Sequence, residues 1–226
     1  MASTSYPKGF TKDPNARAAY VAIGGLSNPS KMPGHAYSTL AEHCQTGSKL
    51  REVANSTCSH CYAYKRGNYR FANVQASLQK RYEALENADW ASNMVAVISM
   101  LGEPEFRWHD SGDVQSLEHL RNIVAIAAQT PNVRHWLPTR EYMYVRQFVD
   151  RGGIIPPNLC IRLSAHLVNQ FNLPAIAGTT FSSVNDHGTP VPDDAHICPA
   201  RTQGNECGSC RACWSSDVYH VSYPAH

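Results

Sequence analysis

The sequence predicts an α/β fold, a partial β/α barrel of about six strands with a Cys-rich C-terminal segment. An open doubly wound sheet is the rival arrangement. Two observations predict the class. Short apolar strands alternate with helices of about 10–15 residues, which is the pattern of βαβ units around a parallel sheet. The chain also has 226 residues, 42% of them hydrophobic, enough for one large domain or two small ones with a real core.

From residue 5 to 47 the sequence is rich in Pro, Gly and Ser, and reads as loop with a single short apolar strand at 20–23. A helical rhythm follows. Phe71, Val74, Leu78, Tyr82 and Leu85 fall three or four residues apart, and Trp90, Met94, Val97 and Leu101 repeat that spacing up to a stop at Gly102 and Pro104. Residues 105–109 (EFRWH) read as a strand. The next helix turns Leu117, Leu120, Val124 and Ala127 inward and stops before Pro131. Residues 133–137 form another strand, after which Thr139 is placed to cap a helix carrying Tyr142, Val145 and Val149. Gly152-Gly153 ends that helix and 159–163 is the third firm strand. Weaker strand signals lie at 179–184 and 195–197. The division expected is a β/α domain over 1–197, with a loop-rich N-terminal extension, and a Cys-rich tail over 198–226 packed on it.

Bulk chemistry narrows the function classes. Charged residues are 17% of the chain, below the usual share of about 25%, which favours a face covered by a partner or by a second copy of the chain. The net charge of +2 gives no electrostatic support for nucleic acid. No export signal is read at the N-terminus, and the longest apolar stretch, 94–101, is far short of the roughly 20 residues that span a bilayer. No membrane association is expected. Eight Cys without an export signal point to a reducing compartment, where thiols serve metals or catalysis before disulfides.

The sharpest motif is Cys207-Gly-Ser-Cys210-Arg-Ala-Cys213, with Cys198-Pro199 upstream. Its two-residue gaps and separate Cys-Pro approach the ligand run of bacterial ferredoxins, in which four thiolates hold a [4Fe-4S] cluster. Zinc is the competing ion, because C-x2-C pairs also build tetrahedral sites, although zinc usually takes two separated pairs. A second set, Cys44 with Cys58-Ser-His-Cys61, precedes the first long helix. Three thiolates without an obvious fourth suggest a cluster with one iron left open. His43 and His60 are alternative fourth ligands, and sharing of Cys58 and Cys61 with the C-terminal Cys residues is another arrangement. Cys160, inside an apolar strand, reads as a buried core thiol.

In β/α folds functional groups gather at the C-terminal ends of the strands. His109, Asp110, Ser111 and Asp113 stand there after the first firm strand, Thr139, Arg140 and Glu141 after the second, and Ser164 and His166 after the third. His109, Asp110, Asp113 and Arg140 are the candidate catalytic residues. Ser111, Thr139, Ser164 and His166 are candidates for binding a polar cofactor. The ordinary alternatives are that Asp113 and Thr139 cap helices and that Asp110 pairs with Arg140. Trp108, Trp136 and Phe106 read as core or pocket wall, and Lys65, Arg66 and Arg70 as a solvated patch.

The runs STCSHCYA (56–63), FRWHDSGDVQS (106–116), WLPTRE (136–141), IRLSAH (161–166), CPA (198–200) and CGSCRACW (207–214) resemble the phage-encoded gene-product-eighty-eight family over roughly residues 30–215. The resemblance implies an origin, and with it the host-cell cytoplasm, rather than an activity. A looser likeness is to radical S-adenosylmethionine enzymes, which place three Cys in the loop after the first barrel strand and bind the cofactor at the open iron. Cys44, Cys58 and Cys61 would match that trio, and Cys198, Cys207, Cys210 and Cys213 an auxiliary cluster. The family's C-x3-C-x2-C spacing is C-x13-C-x2-C here, and no clear Gly-Gly-Glu follows the next strand. The expectation carried forward is an iron–sulfur protein, either an enzyme of the radical type acting on a small molecule or protein, or a non-catalytic cluster protein. A zinc-stabilised module that binds nucleic acid is the third reading.

Overall fold

A computed structural model of the chain describes residues 6–7, 9–10, 12–64, 66–186 and 188–225. Seven strands form one sheet: β1 (Ala36–Tyr37), β2 (Glu105–Trp108), β3 (Arg134–Thr139), β4 (Leu159–Ser164), β5 (Thr180–Asn185), β6 (His196–Ile197) and β7 (His220–Pro224). They lie in the order β1-β2-β3-β4-β5-β7-β6 and every pairing is parallel. Among the described residues six α-helices accompany them: α1 (Pro14–Ala22), α2 (Gln45–Leu50), α3 (Ala72–Ala84), α4 (Trp90–Leu101), α5 (Leu117–Gln129) and α6 (Tyr142–Asp150). None is long and apolar enough to cross a membrane among the described residues.

The register gives the sheet two unlike faces. Phe106, Trp108, Leu137, Ile161 and Leu163 point to one face, where they pack with Met94 and Ile98 of α4, Leu120 and Ile123 of α5, and Val145 and Phe148 of α6. Strands buried on both sides lose simple alternation and read as apolar runs. The opposite face is polar and aromatic. Arg107, Trp136 and Cys160 stand side by side on it, as do Arg162, Thr180 and Ser182 further along. Its cover is the C-terminal segment, whose Ala212, Cys213 and Trp214 pack with Trp136 and Val221.

Three sequence expectations change. The apolar piece at 20–23 is not a strand, because residues up to Ala22 belong to α1. Asp13 accepts hydrogen bonds from the amides of Asn15 and Ala16, and Pro14 occupies the first turn, so a capping signal outweighs the short apolar run. Thr139 ends β3 instead of capping α6, and its hydroxyl accepts from the Glu141 amide at 3.0 Å. Ser116, not Asp113, caps α5 through the His119 amide. Helices α3 to α6 stand where the periodicity puts them, whereas α2 was not foreseen, and Gly102 closes α4 in the left-handed conformation at φ 63°. Cys160 is buried, as expected. Lys65 lies outside the described residues, whereas Arg66 and Arg70 are exposed.

His135 shows how polar groups are accommodated in the core. It is fully buried on β3, accepts from the Trp108 indole at Nδ1 (3.2 Å), and meets the Thr130 hydroxyl at Nε2 (2.8 Å). Burial lowers its pKa to about 4, and His109 is lowered to about 4 for the same reason, with Arg107 adding to the effect. A histidine held neutral in the native state binds its proton first in the unfolded chain. Its contribution is therefore complete above pH 6.5 and declines as the pH falls towards 4. Asp113, raised to about 6, works in the opposite direction over part of that range. Urea unfolding of the wild type and His135→Gln at pH 7 and pH 5 checks this. The wild type is expected to lose about 2 kcal/mol more than the variant on acidification, and an equal loss in both would contradict it.

Candidate metal centre

A parallel sheet sends every strand end to one edge, and the first Cys group stands there. The loop after β1 runs through a single 3₁₀ turn (Ala41–His43) to Cys44, then α2, then Cys58 and Cys61. Gly47 lies between two of the sulfurs. A methyl group there would come within 3.6 Å of Cys58 Sγ and 3.7 Å of Cys44 Sγ, and 3.0 Å from Cys44 Cβ. Ser56 organises the turn by accepting from the amides of Cys58 (3.3 Å) and Ser59 (3.0 Å).

Groups from two strand ends hold this loop down, and a third strand end braces them. Both oxygens of the buried Glu141 carboxylate are used by Thr46, one accepting from its amide (2.8 Å) and one from its hydroxyl (2.7 Å). Arg140 Nε donates to the Thr57 hydroxyl at 3.0 Å, and that hydroxyl donates to the Ala165 carbonyl at 2.9 Å. The Thr57 amide donates to the His166 carbonyl at 2.8 Å. Asp113 locks the second and third strand ends together: it accepts from Thr139 Oγ1 (2.6 Å), the Val114 amide (2.8 Å) and the Arg140 amide (2.9 Å). Asp113 also disfavours ionisation of Cys44, after burial the largest cause of that thiol's upward shift, whereas Arg140 favours it.

Not every expected residue joins this site. Asp110 does not pair with Arg140 among the described residues. Its Oδ2 accepts from Tyr69 at 2.9 Å and its carbonyl from Tyr62, and Oδ1 is buried without a partner. His109, in the left-handed region at φ 67°, donates from Nδ1 to the Tyr37 carbonyl at 3.0 Å. Its ring packs against Trp108 and His119, and Nε2 is buried and unpartnered. Ser111 donates to the Thr39 carbonyl at 2.8 Å. Next to it Gly112, at φ 86°, leaves no room for a side chain, since a Cβ would sit 2.1 Å from Thr39 Oγ1. Ser164 accepts from Ser182, and His166 stacks on Tyr142 with ring centres 4.5 Å apart. His43 stacks on Tyr82 at 3.7 Å and meets Gln79, so it is committed away from the sulfurs.

The second group begins beside β6, at the other end of the sheet order, and runs back over the polar face until the Cys207 amide donates to the Lys31 carbonyl at 2.9 Å. Cys198 follows β6 directly, and Cys207, Cys210 and Cys213 follow in the segment that covers the polar face. Cys210 Sγ is 3.4 Å from His196 Nε2, and Cys213 Sγ is 3.1 Å from the Tyr223 hydroxyl. Burial pushes Cys213 up to about 12, with Cys198 and Cys207 contributing to the rise. All eight Cys are free thiols. Among the described residues no three His, Cys, Asp or Glu side chains stand close enough to chelate a single metal ion.

Sequence reasoning missed Arg162. This fully buried cation donates to five carbonyls: Phe181, Tyr219, Ala212, Ser215 and Val218. It has no carboxylate within ion-pair distance among the described residues, and it lowers the cost of ionising Cys213. An Arg inside the otherwise apolar run 159–163 was the signal. Tyr62, Thr57 and Arg107 were also missed as site residues, because their roles depend on register.

A family model described as Gene product 88 matches residues 8–216. No curated protein and no solved structure matches the chain.

Glu141 is the anchor most readily tested. Glu141→Ala removes two charge-assisted hydrogen bonds from the start of α2 and is expected to cost about 3 kcal/mol of stability. Hydrogen exchange at 44–50 should accelerate more than exchange in α5. Uniform acceleration across the chain would contradict a local anchoring role.

Proposed function

We propose that this chain, which belongs to the gene product 88 family, is an iron–sulfur protein with two sites of different kinds. Cys44, Cys58 and Cys61 would hold one cluster at the strand-end edge, with one iron not ligated by Cys. Cys198, Cys207, Cys210 and Cys213 would hold the other with all four protein ligands supplied. The observation that carries the reading is the division of seven reduced thiols into a group of three and a group of four, each group electrostatically coupled within itself.

The donors fit such groups. Thiolate is the soft ligand that iron–sulfur chemistry requires. A single tetrahedral zinc needs its sulfurs about 3.8 Å apart, from Zn–S bonds of about 2.3 Å. Among the described residues no three potential ligands converge in this way, and a cluster core spreads its ligands more widely. The buried Arg162 supports the same reading, because a buried cation without a carboxylate is costly unless negative charge lies nearby. A thiolate-ligated cluster supplies that charge.

The strand order supports an opened β/α barrel over a doubly wound sheet. From β1 to β5 it runs in sequence without the reversal that marks a doubly wound fold, and α4, α5 and α6 share one face. In that arrangement the three-Cys loop follows the first strand, the placement expected for an enzyme of the radical S-adenosylmethionine type. When bound, a cluster with an open iron supplies an electron to such a cofactor. This chain's residues would do the rest. Arg140 and Asp113 set the charge around the sulfurs, Glu141 fixes the loop, and the helix layer excludes water from one side of the sheet.

The four-Cys site has a separate, structural reading. Three of its four sulfurs sit on the segment that covers the polar face, so its cluster would pin that segment to the end of β6.

Anaerobic purification with iron, sulfide and zinc counts tests the reading, and about eight iron and eight sulfide per chain are expected. Cys207→Ser should remove about half of both. Zinc without sulfide would overturn it. Incubation with S-adenosylmethionine and a reductant is expected to give 5′-deoxyadenosine, and absence of both binding and product would eliminate the radical reaction.

A further inference from the structure

We propose that the turn leading into α3 is a binding surface for single-stranded nucleic acid, in which Arg66 and Arg70 meet phosphates while Tyr62 and Phe71 stack on bases. The inference goes beyond the cluster reading and stands without it. It starts from a charge pattern that the net value averages away. Residues 53–82 contain five Lys and Arg and no Asp or Glu, so the rest of the chain is net acidic. Arg81 is buried and donates to the Ser38 carbonyl, and Lys65 lies outside the described residues. Arg66, Arg70 and Lys80 are exposed.

The fold gathers aromatic rings beside the two Arg residues. Gly67–Arg70 form a 3₁₀ turn in which no residue is fully buried, and Phe71 leads from it into α3. The Tyr62 and Tyr69 ring centres lie 5.9 Å apart. Both hydroxyls donate to Asp110, Tyr62 to its carbonyl and Tyr69 to its carboxylate, which ties the turn to the end of β2. Tyr62 nevertheless stays 56% exposed and Phe71 47%. The Arg70 guanidinium carbon lies 5.1 Å from the centre of the Phe71 ring, and Arg51 covers the Tyr64 ring at 3.6 Å.

Exposed aromatic rings mark a recognition surface, and the groups beside them select the partner. Arg66 and Arg70 have no carboxylate within ion-pair distance among the described residues. Asp110 is engaged inside the turn, with Oδ2 on Tyr69 and Oδ1 buried. Phosphates satisfy the guanidiniums, and bases satisfy the rings. A duplex keeps its bases stacked on one another, so the single strand is the form that can use Tyr62 and Phe71. An acidic protein would meet the Arg pair and leave the rings without stacked partners. Anchoring of the Tyr62 hydroxyl holds that ring in place before binding, which lowers the cost of ordering it.

Fluorescence anisotropy of the full chain with a labelled oligothymidine of about 15 nucleotides, over a salt series, tests this. Affinity is expected to fall as salt rises. Arg66→Ala with Arg70→Ala should lower the logarithmic salt slope by about 1.4, from about 0.7 for each phosphate contact on a single strand. Phe71→Ala should weaken binding about tenfold and leave that slope unchanged. Arg146→Ala with Arg151→Ala, the same change in net charge at exposed positions on and after α6, should bind as the wild type does. Absence of binding at low salt, equal affinity for a duplex of the same length, or stronger competition by polyglutamate than by unlabelled oligothymidine would overturn the inference. An equal loss in the Arg146 and Arg151 variant would overturn it too, by reducing the effect to net charge.

Discussion

A parallel sheet delivers every strand's C-terminal end to one edge, and the arrangement of this molecule depends on that constraint. The polar groups after β2, β3 and β4 meet there because the ladder leaves them no other place. The Cys loop after β1 is then held by side chains that start far away in sequence: Glu141 on Thr46, Arg140 on Thr57, and the His166 carbonyl on the Thr57 amide. No single contact would fix a loop of this length. Together they remove much of its freedom, and the three thiols share one neighbourhood as a result.

Five of the thiols are not prepared as thiolates in the bare chain. Burial raises Cys44, Cys58, Cys198, Cys207 and Cys213, and neighbouring thiols add to the rise in each group. Arg140 opposes it at the first group, and Arg107 and Arg162 at the second. Soft metal ions would have to displace protons from these sites, which links binding to proton release. Arg162, with no carboxylate within ion-pair distance among the described residues, is where a thiolate-bound anionic group would find its compensation.

Much of the fold was legible because long elements carry strong periodicity. The runs around Phe106, Trp136 and Ile161 gave three central strands, and the three-to-four spacing gave α3 to α6. The short elements were not. β1 has two residues and exists only through its pairing with β2, and the Tyr20–Ile23 run hid a helix whose signal lay earlier, at Asp13-Pro14. β7 lies between β5 and β6, a pairing that no local pattern encodes. At the candidate site, Cys spacing proposed two groups of ligands, which the side-chain geometry does not bring within reach of one metal ion among the described residues. Asp113 and Thr139 were noted as polar strand ends, but their bond to each other is a matter of register. The placement of His109 was not legible, because a left-handed backbone turns its ring to Trp108 and His119. Arg107 and Arg162 were hidden by standing in strands, where a charge is read as an exception instead of as a partner awaited.

The central claim is spatial: two separate iron-containing groups, each beside its own thiols. Anomalous diffraction at the iron edge from anaerobically grown crystals of the full chain tests it most directly. Two peaks are predicted, one beside Cys44, Cys58 and Cys61 and one beside Cys198, Cys207, Cys210 and Cys213. A single peak shared between Cys of both groups, or no iron at either, would contradict the account.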